Sequence, residues 1–215
     1  MDQLLNLDQS ITLALNGSGS AVMDWIMLLI TSTVVWLPAG LFLLYRIYVN
    51  CGLRTMLLVL GGILLCVLLA DFVSSGICKP LVGRLRPTRD PMLSDLVDVV
   101  GNYRGGNYSF FSSHAANTMS VAVFLSLLLR RWSIVAVLLL WSMLNCWSRI
   151  YLGMHYMGDI LVGLVWGVIV GWGVWLLLRR YFGRAPLTDL TQPVTVAMLA
   201  TFAVIVALAP ILATE

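Results

Sequence analysis

Apolar residues run along the chain in six long stretches, at about 22–46, 54–78, 115–130, 132–149, 157–180 and 192–212, almost free of charge. Roughly 20 apolar residues in helical form cross a bilayer core, and in lipid the backbone groups must pair within the segment, so each stretch predicts a transmembrane helix. Asp24 and Pro38 interrupt the first stretch, so its span could begin several residues later. Residues 1–15 differ. They place Leu4, Leu7, Ile11, Ala14 and Leu15 on one helical face and Asp2, Gln3, Asp8 and Gln9 elsewhere, as a helix lying in the membrane interface does. Asn16-Gly17-Ser18-Gly19-Ser20 then breaks it. The expected fold is an all-α integral membrane bundle of about six transmembrane helices with an N-terminal interfacial helix, forming one membrane-embedded domain over residues 1–215.

Composition sharpens this. Of 215 residues 60% are hydrophobic and 11% charged, and the mean hydropathy is +0.94. A soluble domain carries about 25% charged residues, so a soluble fold is excluded. The net charge of +3 is too small and scattered for a nucleic-acid partner. Cys51, Cys66, Cys78 and Cys146 form no paired motif, and the last in particular reads as a buried apolar residue, as does Cys66. The first Lys or Arg is Arg46, so no basic region of a cleavable leader precedes the first helix, which is expected to direct its own insertion.

Placement of charge sets the orientation. Arg46, Arg54, Arg130, Arg131, Arg179, Arg180 and Arg184 fall in loops on one side, which is thereby expected to be cytoplasmic, with both termini outward. The other six basic residues, Lys79, Arg84, Arg86, Arg89, Arg104 and Arg149, lie on the outer side against that preference, so a role other than topology is expected for them. Both histidines, His114 and His155, lie there too. Fixed cations, hydroxyl donors and two imidazoles suit a phosphate ester. If the fifth helix starts near His155, Asp159 shares its face and holds one ring nitrogen's proton while the other nitrogen attacks phosphorus. His114 is then placed to protonate the leaving oxygen, and Lys79, Arg86 and Arg149 to surround the phosphoryl oxygens. The helix start after Ser112 and Ser113 adds backbone N–H groups. A metal centre on His114, His155 and Asp159 is disfavoured by the surrounding cations. Asp71 is expected to pair with a neighbouring helix and Trp25, Trp132 and Tyr181 to anchor in the interface, while Arg84, Arg89 and Arg104 stand open between contacts to headgroups or to loop acids such as Asp90, Asp95 and Asp98 and a place in the site.

Lys79-x6-Arg86-Pro87, Ser112-x-His114 and Ser148-Arg149-x5-His155-x3-Asp159 together resemble the three signatures of the type 2 phosphatidic acid phosphatase superfamily, which includes membrane lipid phosphatases and vanadium haloperoxidases. The resemblance implies a phosphohistidine mechanism without metal or other cofactor. It makes His155 the nucleophile, Asp159 its orienter and His114 the general acid, with Lys79, Arg86, Ser112, Arg149 and a backbone N–H near Ser113 as phosphate cradle. Ser113 stands where the family has glycine, so that contact departs from the pattern. The partners implied are a phosphorylated lipid substrate and the surrounding membrane lipids, with the site on the outer face, facing the periplasm if the membrane is a bacterial inner one. Undecaprenyl diphosphate ranks first, because the outer loop of about 35 residues is compact and Arg84, Arg89 and Arg104 would hold a second phosphate. Phosphatidylglycerophosphate and lipid A phosphates are the alternatives. A phosphorylated-lipid transporter would show an internal repeat, and the two halves show none.

Overall fold

The computed structural model describes residues 2–183 and 191–214; Arg184, one of the seven arginines that set the expected orientation, lies outside them. Its helices are α1 (Asp2–Leu15), α2 (Ala21–Thr31), α3 (Thr33–Asp71), α4 (Lys79–Val82), α5 (Ser113–Leu129), α6 (Trp132–Tyr151), α7 (Met157–Leu178) and α8 (Thr191–Leu212). Among the described residues the only β pairing is an isolated one between Leu85 and Tyr108. Four stretches are long and apolar enough to cross a membrane, namely Thr33–Val82, Trp132–Tyr151, Met157–Tyr181 and Gln192–Leu212, and the apolar helices α2 and α5 are shorter.

The Thr33–Val82 stretch supplies two crossings. Gly52, at φ 81° and ψ 170°, takes a conformation closed to other residues and folds α3 back on itself. Thr33 and Val67 therefore line one cavity, and Leu43 and Ile63 another. The first crossing is α2 plus the arm 33–51; its break at Ser32 is held by the Trp36 indole, which donates to Ile30 O at 2.9 Å. The second runs four residues past its expected end, because a π-helical segment, Phe72–Cys78, carries it into α4 until Gly83 stops it at φ 63°.

Helices α5 and α7 pack closest. Gly163, Gly167 and Gly171 recur every fourth residue along α7, and a Cβ at the first two would lie 2.7 Å from Ser112 O and Ala116 O. At Gly171 it would collide with Ser120 O. Small residues at this spacing let membrane helices approach backbone to backbone. The arginine-bearing ends gather around Ile47, Val59, Leu129, Ile134, Phe182 and Val194, a buried cluster at one end of the bundle. The opposite end carries α1, α4 and the loop 83–112. Helix α1 presents Leu4 and Leu7 outward and docks through its polar side, where Thr12 is buried.

Candidate active site

All eight residues expected to carry chemistry meet at the end of the bundle opposite the arginine-bearing turns. Two features of the backbone bring them there. The α5–α7 contact sets the helix N-termini side by side, and Ser112 N donates to Asp159 O at 3.1 Å. The loop after α4 then folds over them, since Arg86 N donates to Asn107 O at 3.1 Å and Ser109 N to Arg84 O at 2.8 Å.

His155 precedes helix α7, which begins at Met157, so it does not share a helical face with Asp159 as the spacing had suggested. Tyr156 is extended at φ −76° and ψ 161°, and Asp159, in the first turn, reaches back to it. One carboxylate oxygen accepts Tyr156 N–H at 3.0 Å and stands 3.7 Å from His155 Nδ1. That separation exceeds hydrogen-bond length, and among the described residues Nδ1 has no partner. Nδ1 faces the carboxylate, which leaves Nε2 for chemistry. Burial holds the His155 imidazole down to about 4, against the pull of Asp159 and with the help of Arg149 and Arg86, so the ring is neutral at physiological pH.

The cations take distinct stations. Lys79 Nζ donates to Ser113 Oγ at 2.8 Å and to Ser75 Oγ at 3.1 Å. Ser113, in the glycine's place, thus supplies a hydroxyl that holds the lysine. Arg149 is buried, with Nη1 donating to Thr31 Oγ1 at 2.8 Å and to Tyr103 Oη at 3.1 Å, and its Nε has no partner among the described residues. Arg86 donates from Nε to Tyr108 O at 3.2 Å and from Nη1 to Met154 Sδ at 3.1 Å. Burial and the neighbouring Arg149 bring its guanidinium down to about 10, which still leaves it charged. Ser112 is fully buried and caps α5, its hydroxyl accepting Ala115 N–H at 3.4 Å. His114 follows in the first turn, within electrostatic reach of Arg149, His155, Lys79 and Arg86. Such a convergence of cations around two imidazoles attracts an anion.

Several expectations are corrected. Arg84 pairs with none of Asp90, Asp95 and Asp98: Nη1 donates to Asp159 at 3.0 Å, Nη2 to Asp8 at 2.7 Å, and the guanidinium lies 3.7 Å over the Tyr156 ring. Asp8 also accepts Gly158 N–H at 2.7 Å, and Thr12 accepts Met157 N–H at 3.1 Å, so α1 clasps the start of α7. Arg89 and Arg104 donate to the carbonyls of Gly105 and Thr88. Asp71 accepts at 3.0 Å from the Oγ of Ser75, which stands on its own chain segment four residues before Lys79, rather than from a neighbouring helix. Asp8 was missed because it lies 151 residues before Asp159, on what reads as the water-facing side of an amphipathic helix. Arg84 sits two residues from Arg86 and was the one legible signal.

A membrane helix bundle that gathers cations around two histidines at one end fits an integral membrane hydrolase of phosphate esters. The comparisons agree with that class. The family model described as the PAP2 superfamily matches residues 59–184. Among curated proteins, a lipid A 4'-phosphatase of Bacteroides thetaiotaomicron is 34% identical over 182 residues, covering 84% of this chain and 81% of its own length. A lipid A 4'-phosphatase of Porphyromonas gingivalis is 34% identical over 196 residues, or 86% and 80% of the two chains. The crystal structure of a PAP2-type phosphatidylglycerolphosphate phosphatase from Bacillus subtilis shares the fold at a TM-score of 0.65 and 18% identity, covering 84% of this chain and 88% of that one. The chain belongs to the PAP2 superfamily, and it is an integral membrane lipid phosphatase of that type.

Proposed function

We propose that the protein removes a phosphate monoester from an acylated lipid of the lipid A class, at the outer face of the membrane, through a phosphohistidine and without metal. The observation carrying the choice of lipid is the engagement of Arg84. With its two amino groups on Asp8 and Asp159, Arg84 is neutralised by carboxylates and withdrawn from holding a second phosphate, which removes the best placed of the outer cations that favoured a diphosphate headgroup. The names of the 34% identical relatives point the same way.

Lys79, Arg86 and Arg149 receive the phosphoryl oxygens, helped by the N-terminal N–H groups of α5 beside Ser112 and Ser113. His155 Nε2 attacks phosphorus as the ester P–O bond breaks, and the bond's electron pair goes to the lipid oxygen, which takes a proton from His114, a ring that burial and the nearby cations hold low at rest and that carries the proton once the bound phosphate's negative charge offsets those cations. The ring then carries positive charge, and Asp159 closes on Nδ1–H. Water next attacks the phosphorus while His114 takes its proton, the P–N bond breaks and inorganic phosphate leaves.

Phosphate release from lipid A, undecaprenyl diphosphate and phosphatidylglycerophosphate in matched detergent tests the choice. The expected order places lipid A first. Preference for either other lipid contradicts the substrate assignment and leaves the chemistry standing, and a wild-type protein that hydrolyses none contradicts the assignment and the chemistry together.

A further inference from the structure

His114 is placed to protonate the oxygen of the departing lipid, so the lipid lies on the His114 side of the phosphate. On that side a cavity of about 210 Å³ opens into the bundle, lined by Thr31, Asn117, Thr118, Trp141 and Asn145 together with His114 itself. It is tied to the phosphate cradle a second time, since Thr31 Oγ1 accepts from Arg149 at 2.8 Å. Trp36, Val121 and Trp141 also line a second cavity of about 140 Å³, whose remaining walls, Leu43, Ile63 and Leu129 among them, are apolar. Together the two chambers follow α5 from His114 to Leu129, a depth of about 22 Å at 1.5 Å per residue. Gly40, at the lower chamber, is exposed and leaves its wall open.

The polar chamber carries unspent hydrogen-bonding capacity. Thr118 and Ser142 satisfy one another at 3.1 Å, and Asn145 donates to Trp141 O at 2.9 Å. Asn117 Oδ1 and Trp141 Nε1 are buried and, among the described residues, have no partner. Leaving both unmade is costly, and a ligand that offers a carbonyl to the indole and a hydroxyl or amide N–H to the asparagine removes that cost. A polyprenyl chain has neither group. We propose that this two-chamber groove is the lipid-tail site, its upper part binding the ester, amide or hydroxyl of an acyl chain close to the phosphate and its lower part the hydrocarbon end. This rests on the phosphatase reading with His114 as the acid, and it makes Trp141 and Asn117 specificity residues.

Two measurements on the full-length protein test it. In mixed micelles, diacyl phosphatidic acid is compared with its dialkyl ether analogue of equal chain length, which lacks the carbonyls. Wild type is expected to favour the ester by about 3- to 10-fold in kcat/KM, the value of one hydrogen bond, and Trp141→Phe to erase that preference through KM with kcat retained. No preference in wild type, or one unchanged in Trp141→Phe, overturns the polar-chamber assignment. Separately, phosphatidic acid carrying a photoreactive diazirine near the acyl terminus is cross-linked to the His155→Asn variant, which needs no turnover. Adducts on Ile63, Leu129 or their neighbours in the groove support the site, whereas adducts confined to outward-facing residues such as Leu161 or Val165 overturn it. Groove adducts in a wild-type protein that releases no phosphate from any lipid would refute the enzyme reading and retain the tail site.

Discussion

His155 and His114 divide the proposed reaction between nucleophile and acid, and their removal separates accordingly. His155→Asn abolishes turnover for every substrate. His114→Asn loses most for a lipid alkoxide and is partly spared with an acidic leaving group such as nitrophenolate, checked by comparing kcat for the two; equal losses would contradict the acid role. Burial also sets a pH expectation. The attacking form is the neutral ring, and with the folded value near 4 that form persists well below the ordinary 6.5. The acid limb of kcat/KM, divided by the substrate's own ionisation, therefore falls near pH 4, and a limb at 6.5 would contradict it. The unfolded chain takes up this proton at about 6.5 and the folded chain only near 4, so stability from this group is lost as pH falls across that window. Arg84 belongs with these residues although it touches no phosphate in the proposed mechanism. Arg84→Ala strips fully buried Asp159 of its cation, and kcat is expected to fall about 10- to 100-fold with KM little changed, Arg84→Lys recovering part of it. The sequence made His114, His155, Lys79 and Arg149 legible because their spacing is fixed by one chemistry. Asp8 was not legible, and Arg84 only by its place two residues before Arg86, because an ion pair between residues 76 apart leaves no local pattern.

Among the helices, the closest approach does the positioning. A Cβ at Gly167 meets Ala116 O at 2.7 Å and Met119 Cβ at 2.7 Å, whereas one at Gly173, also on α7, meets nothing within 4 Å. Gly167→Ala is expected to destabilise by about 1–3 kcal/mol and to lower activity, by parting His114 from Asp159. Gly173→Ala leaves both unchanged, as thermal melts in detergent with parallel assays would show; equal behaviour of the two variants would contradict the packing argument. Hydropathy located all six apolar stretches, since lipid admits few alternatives to a helix. It misjudged where helices bend and end. Ser32, Gly52 and the π-helical segment before Lys79 are set by tertiary fit, and an apolar run looks alike on either side of them.

For the whole molecule, the charge distribution fixes the expected orientation. Arg46, Arg54, Arg130, Arg131, Arg179 and Arg180 gather at one end, and the phosphate cradle at the other. Single cysteines at Asp95 and Gly183, in a protein freed of its four native cysteines, are expected to react with impermeant reagents from the outer and the inner side respectively. The reverse would invert the topology and bring the site to the cytoplasm. If Lys79, Arg86 and Arg149 supply the positive charge of the site, hydrolysis persists in excess chelator and vanadate inhibits competitively. Loss of activity in chelator, restored by one divalent ion, would contradict that.

The covalent step is the centre of the mechanism, and trapping it is decisive. A lipid monophosphate carrying labelled phosphorus is mixed with the protein, quenched in alkali within the first turnover and digested. Label is expected on the peptide bearing His155, stable to base, released by acid and absent from His155→Asn. Rapid release of phosphate with no label on the protein, or with label on any other residue, would contradict the phosphohistidine account.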